Sequence, residues 1–374
     1  MYNKLSIYNL YYQWWKNIDK LILSLIILLF LTGLFFSLVS TSLIASDKLD
    51  TNSYSFFFKH LIFIFLGLFL ILIFSSINQN KLFNISLIIF IFSLIFLILV
   101  PIIGIEVKGS KRWIDLQMLP RFQPIELVKP FLIIFISIVL CNERYNNIYF
   151  KYSISFLVTL MIVSLLVIQP DIGQTLLVLF TWSVLIFISG ISISFLVFFF
   201  SILILSFSYL IIFVPKFNYI KNRLISFFDS AEGTYNAQSD KAIESIISGG
   251  FFGKGIGEGT LKNRVPEAHT DYIISVISEE FGIIAIILIL FLFLVLIYSV
   301  FKKVNFENDE RTKLILVGCI SLILMQVMIH VGVNIRLFPT TGMTLPYISY
   351  GGSSIISVSI ISGIILNLTK RKIN

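Results

Sequence analysis

Ten apolar runs divide this chain, and a soluble core has no way to enclose them all. They fall near 21–42, 56–77, 83–104, 125–141, 153–168, 172–190, 192–214, 271–300, 314–335 and 347–368. A bilayer core about 30 Å thick takes ~20 apolar residues in helical form. In lipid a helix satisfies its own backbone, whereas an open strand or loop does not. The fold class predicted is therefore all-α: a polytopic membrane protein of about ten transmembrane helices. It reads as one domain over 1–374, with a large outer loop, 215–270, between helices 7 and 8. Charged residues are only 13% of the chain, about half the share of a soluble domain.

What the composition excludes is equally useful. Two cysteines, Cys141 and Cys319, lie far apart in or beside apolar runs and suggest neither a disulfide framework nor a metal site. Three histidines are too few for a histidine-based zinc centre. A formal charge of +8 suits contact with anionic lipid, and nucleic acid is not an expected partner. Tyr11, Tyr12, Trp14 and Trp15 precede the first run as an interfacial belt would. That run is too long for a signal peptide and lacks a small-residue cleavage site. Lysine and arginine between the runs favour both termini inside, although many outer basic residues sit in the long loop, where charge has little say. This orientation gathers the 105–125 loop, Gln169-Pro170-Asp171, the 215–270 loop, Asp271 and the 336–346 turn on the outer side.

Four polar constellations stand out. In the first, Lys111, Arg112 and Trp113 precede Arg121-Phe-Gln-Pro-Ile-Glu126-Leu-Val-Lys129. Glu126 and Lys129 are three apart, so they share a helix face and can pair. The group reads either as a phosphate cradle or, for the pair, as a salt bridge tying helices together. In the second, Gln169-Pro170-Asp171-Ile-Gly173 is good turn chemistry with a helix cap, and substrate contact is the lesser reading. The third is the glycine-rich stretch from Gly249 to Gly259. It lacks Gly-Lys-Ser/Thr and follows no strand, so a nucleotide loop is not expected and a flexible hinge is. Tyr235-Asn-Ala-Gln238 before it suggests a short amphipathic piece at the interface.

That stretch leads into Arg264-Val-Pro-Glu267-Ala-His269-Thr-Asp271, at the head of the eighth apolar run. An acidic group at a membrane edge is costly and usually functional, which makes Asp271 the candidate catalytic residue. Arg264, Glu267 and His269 are candidate substrate contacts. Glu279 and Glu280, further in, read as buried structural partners or as lining of a hydrated cavity. The fourth constellation, Asn334 to Ser354, breaks the membrane pattern with Pro339, Pro346 and Gly351-Gly352. Such backbone needs protein or a water-filled cavity to satisfy it. Close packing is the preferred reading over substrate contact.

Taken in order, KRWIDL (111–116), FQPIE (122–126), QPDIG (169–173), GGFFGKGIGEGT (249–260), PEAHTDYI (266–273) and TGMTLPYISYGGSS (341–354) resemble the SEDS family of bacterial cell-wall polymerases (shape, elongation, division and sporulation). The resemblance covers nearly the whole chain, and the last two stretches look more like the division branch than the elongation branch. It implies a peptidoglycan glycosyltransferase that polymerises lipid II, a disaccharide-pentapeptide on undecaprenyl pyrophosphate, at the outer face of the bacterial cytoplasmic membrane. The family's essential aspartate aligns with Asp271, and its Trp-containing loop and Glu/Lys helix align with Trp113, Glu126 and Lys129. A single-span class B transpeptidase (a penicillin-binding protein) and other division proteins are the implied partners. No organic cofactor is implied; Mg²⁺ or another divalent cation is a candidate. Ile125, Arg336 and Thr341 depart from the family's usual serine, glycine and lysine. A flippase or transporter, and a non-catalytic division scaffold, are the alternatives.

Overall fold

The computed structural model describes residues 7–48, 55–107, 110–115, 120–145, 147–218, 221, 222, 225, 227, 236–259 and 268–370. After an N-terminal helix α1 (Ile7–Asn17), each of the ten apolar runs falls on one helix. These are α2 (Lys20–Lys48), α3 (Ser55–Ser76), α4 (Gln79–Ile103), α5 (Pro124–Leu140), α6 (Ile148–Ile168), α7 (Ile172–Ile188) and α8 (Ile193–Phe213). A further helix, α9 (Asn236–Gly249), sits in the long connection before α10 (Ile273–Phe306), α11 (Glu310–Asn334) and α12 (Gly352–Leu368). Among the described residues, seven of the ten are long and apolar enough to cross a membrane by length and composition. The remaining three, α5, α7 and α12, are 17 residues each. A two-stranded antiparallel hairpin, β1 (Ile105–Val107) and β2 (Ser110–Trp113), joins α4 to α5.

Local chemistry sets the helix ends. Asn78, Asn147, Asp171 and Asp309 each accept a backbone N–H as side-chain caps of α4, α6, α7 and α11. Pro124 opens α5, where a missing N–H costs nothing. α12 packs against α3 through small residues: Gly67 faces the Ser359 hydroxyl and Gly363 faces Phe74, with no room for a Cβ at either glycine. From α12, the Asn367 amide donates to the carbonyls of Phe74, Ser75 and Ile77 at 2.7, 3.3 and 2.6 Å, closing the open end of α3.

Three expectations need correction. The last helix starts at Gly352, because residues 347–351 form a buried turn rather than its first residues. Residues 236–249 form a 14-residue helix rather than a short interfacial piece, with Ala242 and Ser245 fully buried. The glycine stretch is no free hinge. α10 breaks at Gly282 (φ 76°, ψ 179°), and the stretch fills the break with backbone hydrogen bonds. Lys254 N and Gly255 N donate to the carbonyls of Glu279 and Glu280 at 2.9 and 3.1 Å. Ile283 N and Ile284 N donate to those of Gly250 and Phe251 at 3.0 and 3.4 Å. A Cβ on Gly253 would lie 2.1 Å from the Glu280 carbonyl oxygen, so these glycines serve close approach.

Candidate active site

Asp271 sits on the short turn that enters α10, and its backbone is held from three sides. Tyr350 N donates to the His269 carbonyl at 3.1 Å. The Ser349 hydroxyl donates to the Thr270 carbonyl at 2.7 Å. The Asn334 amide donates to the Asp271 carbonyl at 3.0 Å and to that of His330 at 2.9 Å. Three consecutive carbonyls are thus fixed by the end of α11 and the turn before α12. The turn is itself anchored: Leu345 N donates to Ser349 Oγ at 2.9 Å, Gln326 Nε2 to the Thr344 carbonyl at 3.0 Å, and His330 Nδ1 lies 2.7 Å from the Met343 carbonyl. An aspartate so mounted keeps its direction when a substrate arrives, which is what general-base work demands.

Arg112 approaches the same place from β2. Its guanidinium donates to the carbonyls of Gln169 (3.3 Å from Nε) and Pro170, and Nη1 lies 3.6 Å from Asp171 Oδ1. Gly342, at φ 71°, lies beside both this cation and Asp271. A Cβ there would stand 3.6 Å from Asp271 Oδ2 and 3.9 Å from Arg112 Nη1. Gly173 packs on Thr341 and Met343, where its Cβ would meet Thr341 Cβ at 2.8 Å, so the 169–173 and 341–343 turns are seated on each other.

Asp171 does more than cap α7. Besides accepting Gln174 N at 3.4 Å, it accepts Gln123 Nε2 at 2.8 Å and faces Arg112. Burial pushes its carboxyl pKa up, and the Arg112 charge opposes that rise. The polar chain continues inward: Gln174 Nε2 donates to Glu126 Oε1 at 2.8 Å, and Lys129 Nζ stands 2.8 Å from Glu126 Oε2. Glu126 and Lys129 are 5% and 1% exposed, so their charges face each other and not an open groove. Beyond Lys129 is a small cavity lined by Leu132, Ile136, Trp182, Leu185 and Leu322.

The remaining candidates are placed as follows. His269 is half-buried against Phe56 and Tyr350, with ring centroids 4.8 and 6.0 Å away. Trp113 is half-buried and Lys111 exposed on β2. Arg264 and Glu267 lie outside the described residues. Glu279 is fully buried with Lys254 Nζ 3.4 Å away, as a structural partner, and Glu280 is buried beside it. Sequence reasoning missed the grip of Asn334 on Asp271, for which an amide at the end of an apolar run was the signal. It also missed His60, fully buried on α3 with its ring 5.9 Å from Tyr350. Among the described residues, no three His, Cys, Asp or Glu side chains gather as a metal site.

A multi-pass helical membrane protein with two carboxylates, Asp171 and Asp271, gathered near the Arg112 guanidinium at one end of its bundle is the class these observations define. Comparison narrows it. Residues 19–374 match the family model of the FtsW/RodA/SpoVE cell cycle proteins, and the chain belongs to that family. It is 30% identical to a probable peptidoglycan glycosyltransferase FtsW of Caulobacter vibrioides over 96% of this chain and 91% of that protein. It is 32% identical to the stage V sporulation protein E of Bacillus subtilis, over 95% and 98%. Among solved structures, a chain from a peptidoglycan synthase complex superposes with TM-score 0.76 at 26% identity, covering 94% of this chain and 97% of that one. The rod shape determining protein RodA of Thermus thermophilus gives 0.68 at 25% identity, over 95% and 97%.

Proposed function

We propose that this chain is a peptidoglycan glycosyltransferase of the division type that polymerises lipid II, with Asp271 as its general base. The supporting observation is the mounting of Asp271: three fixed carbonyls behind it and Arg112 across Gly342 in front. In this reading Asp271 takes the proton from the 4-hydroxyl of the acceptor's N-acetylglucosamine. That oxygen bonds to the anomeric carbon of the donor's N-acetylmuramic acid with inversion. The bond to undecaprenyl pyrophosphate breaks, and the diphosphate leaves with the electron pair. Cations held where that charge develops lower the barrier without a general acid. Arg112 stands closest to this task; Lys111, Trp113, His269, Arg264 and Glu267 are further candidates for substrate contact. Glu126 and Lys129 act through the buried chain that ends at Asp171. With no ligand cluster among the described residues, a divalent cation such as Mg²⁺ would arrive with the diphosphate as its main ligand, and no step above depends on it.

The reading places both termini in the cytoplasm and the Asp271 end of the bundle at the outer face of the bacterial inner membrane. A single-span class B transpeptidase and other division proteins are the partners. The test is polymerisation of labelled lipid II by the purified protein with that transpeptidase, the latter's own active site inactivated. Asp271→Asn should lose at least ~100-fold in rate, the usual worth of a positioned base, while keeping its fold. Equal glycan ladders from both proteins would remove Asp271 from the chemistry. No ladder from either would favour transport or scaffolding.

A further inference from the structure

Asp171 is built with more than a helix cap requires. A cap needs one oxygen facing one N–H, and Gln174 N supplies that. Yet the side chain is 2% exposed and also takes Gln123 Nε2 and the Arg112 guanidinium. Arg112 in turn is oriented almost wholly by this one turn, through the carbonyls of Gln169 and Pro170 and the carboxylate of Asp171. The direction of Nη1 has consequences, because the neighbouring carboxylate across Gly342 is Asp271. The buried Asp171 carboxylate, 3.6 Å from that same Nη1, holds the cation in this place, beside the base proposed above.

We propose that Asp171 is a positioning residue for glycosyl transfer: it anchors the Arg112 guanidinium beside Asp271, where the cation serves the substrate's diphosphate. This rests on the function proposed above. It also accounts for Gly342, since a longer side chain there would crowd both Asp271 Oδ2 and Arg112 Nη1, and for Gly173, which lets the Asp171 turn sit directly on residues 341–343.

The experiment is a kinetic double-mutant cycle on the full-length protein with its transpeptidase, reading kcat and KM for lipid II separately. Asp171→Asn removes the charge while its one oxygen keeps the cap on Gln174 N, with the Gln123 amide flipped to offer its own oxygen to the new NH2. It should keep the thermal midpoint of wild type, lose about ten-fold or more in kcat, and change KM by less than about two-fold, the pattern of an interaction made only in the transition state. Because Asp171 acts through Arg112, adding Asp171→Asn to Arg112→Gln should cost almost nothing further. Wild-type kcat in Asp171→Asn would overturn the proposal. So would losses that multiply in the double variant, or a kcat loss matched by a fall in thermal stability, which would make Asp171 a cap alone. Asp271→Asn run alongside separates the two failures: if it is inactive while Asp171→Asn is normal, only this inference falls.

Discussion

α11 and α8 are almost equally apolar, and they do opposite things. In α11, 78% of the most apolar stretch is buried; in α8 the figure is 12%. α11 carries Gln326, His330 and Asn334, all inside the protein and all bonded to the turns that build the Asp271 site. α8 exposes Ile193, Phe198, Leu205 and Phe213 along its length and takes no part in the site. Lipid tails are as apolar as leucine, so burial within a membrane protein is not marked by greasiness. What marks an interior helix is the polar atom it can bring in already satisfied.

Four substitutions would sharpen or break that contrast beyond the loss of activity expected of Asp271→Asn. Lys129→Met, on the interior helix α5, strands Glu126 as a buried charge and should destabilise the fold by about 3–5 kcal/mol, read from thermal unfolding in detergent. Glu126→Gln with Lys129→Met keeps an acceptor for Gln174 and should recover most of that stability. If it also recovers polymerisation, the pair is architectural; if folding returns without activity, the pair serves the chemistry. Asn334→Ala removes two amide bonds at the foot of α11 and should cost about 1–2 kcal/mol, with a fall in kcat because the Asp271 carbonyl loses its anchor. Unchanged turnover there would show that the backbone clamp does not matter to the reaction. Leu205→Ala on α8, 71% exposed, should move stability by no more than about 0.5 kcal/mol and leave activity alone. A larger loss would mean that α8 is covered by something other than lipid.

The same contrast explains what the sequence could reveal. Helix number and order were legible because the bilayer imposes a length that each run must meet. Asp271 was read as the candidate base because a carboxylate beside such a run has few cheap explanations. Which helices lie inside was not legible from hydropathy, since the most apolar stretches of α8 and α11 are nearly equal; Gln326, His330 and Asn334 of α11 were the signal. Gly249, Gly250 and Gly253 suggested a hinge because glycine permits both freedom and close contact, and only the partner backbone across the break decides between them. Asp171 read as a cap because its second partner, Arg112, arrives from β2, 59 residues earlier in the chain; sequence spacing carries no trace of that meeting. The Glu126–Lys129 pair was foreseeable from its i, i+3 spacing, but its near-complete burial was not.

The clamp behind Asp271 also sets a timetable. Its three donors, Asn334, Ser349 and Tyr350, are made well after the aspartate, with Ser349 falling 79 residues beyond Thr270. While the ribosome is still threading α10 into the bilayer, the carbonyls of 269–271 have none of these native donors. The Asp271 end of the bundle becomes fixed only as α12 enters, so a nascent or C-terminally truncated chain would be inserted with that end unformed.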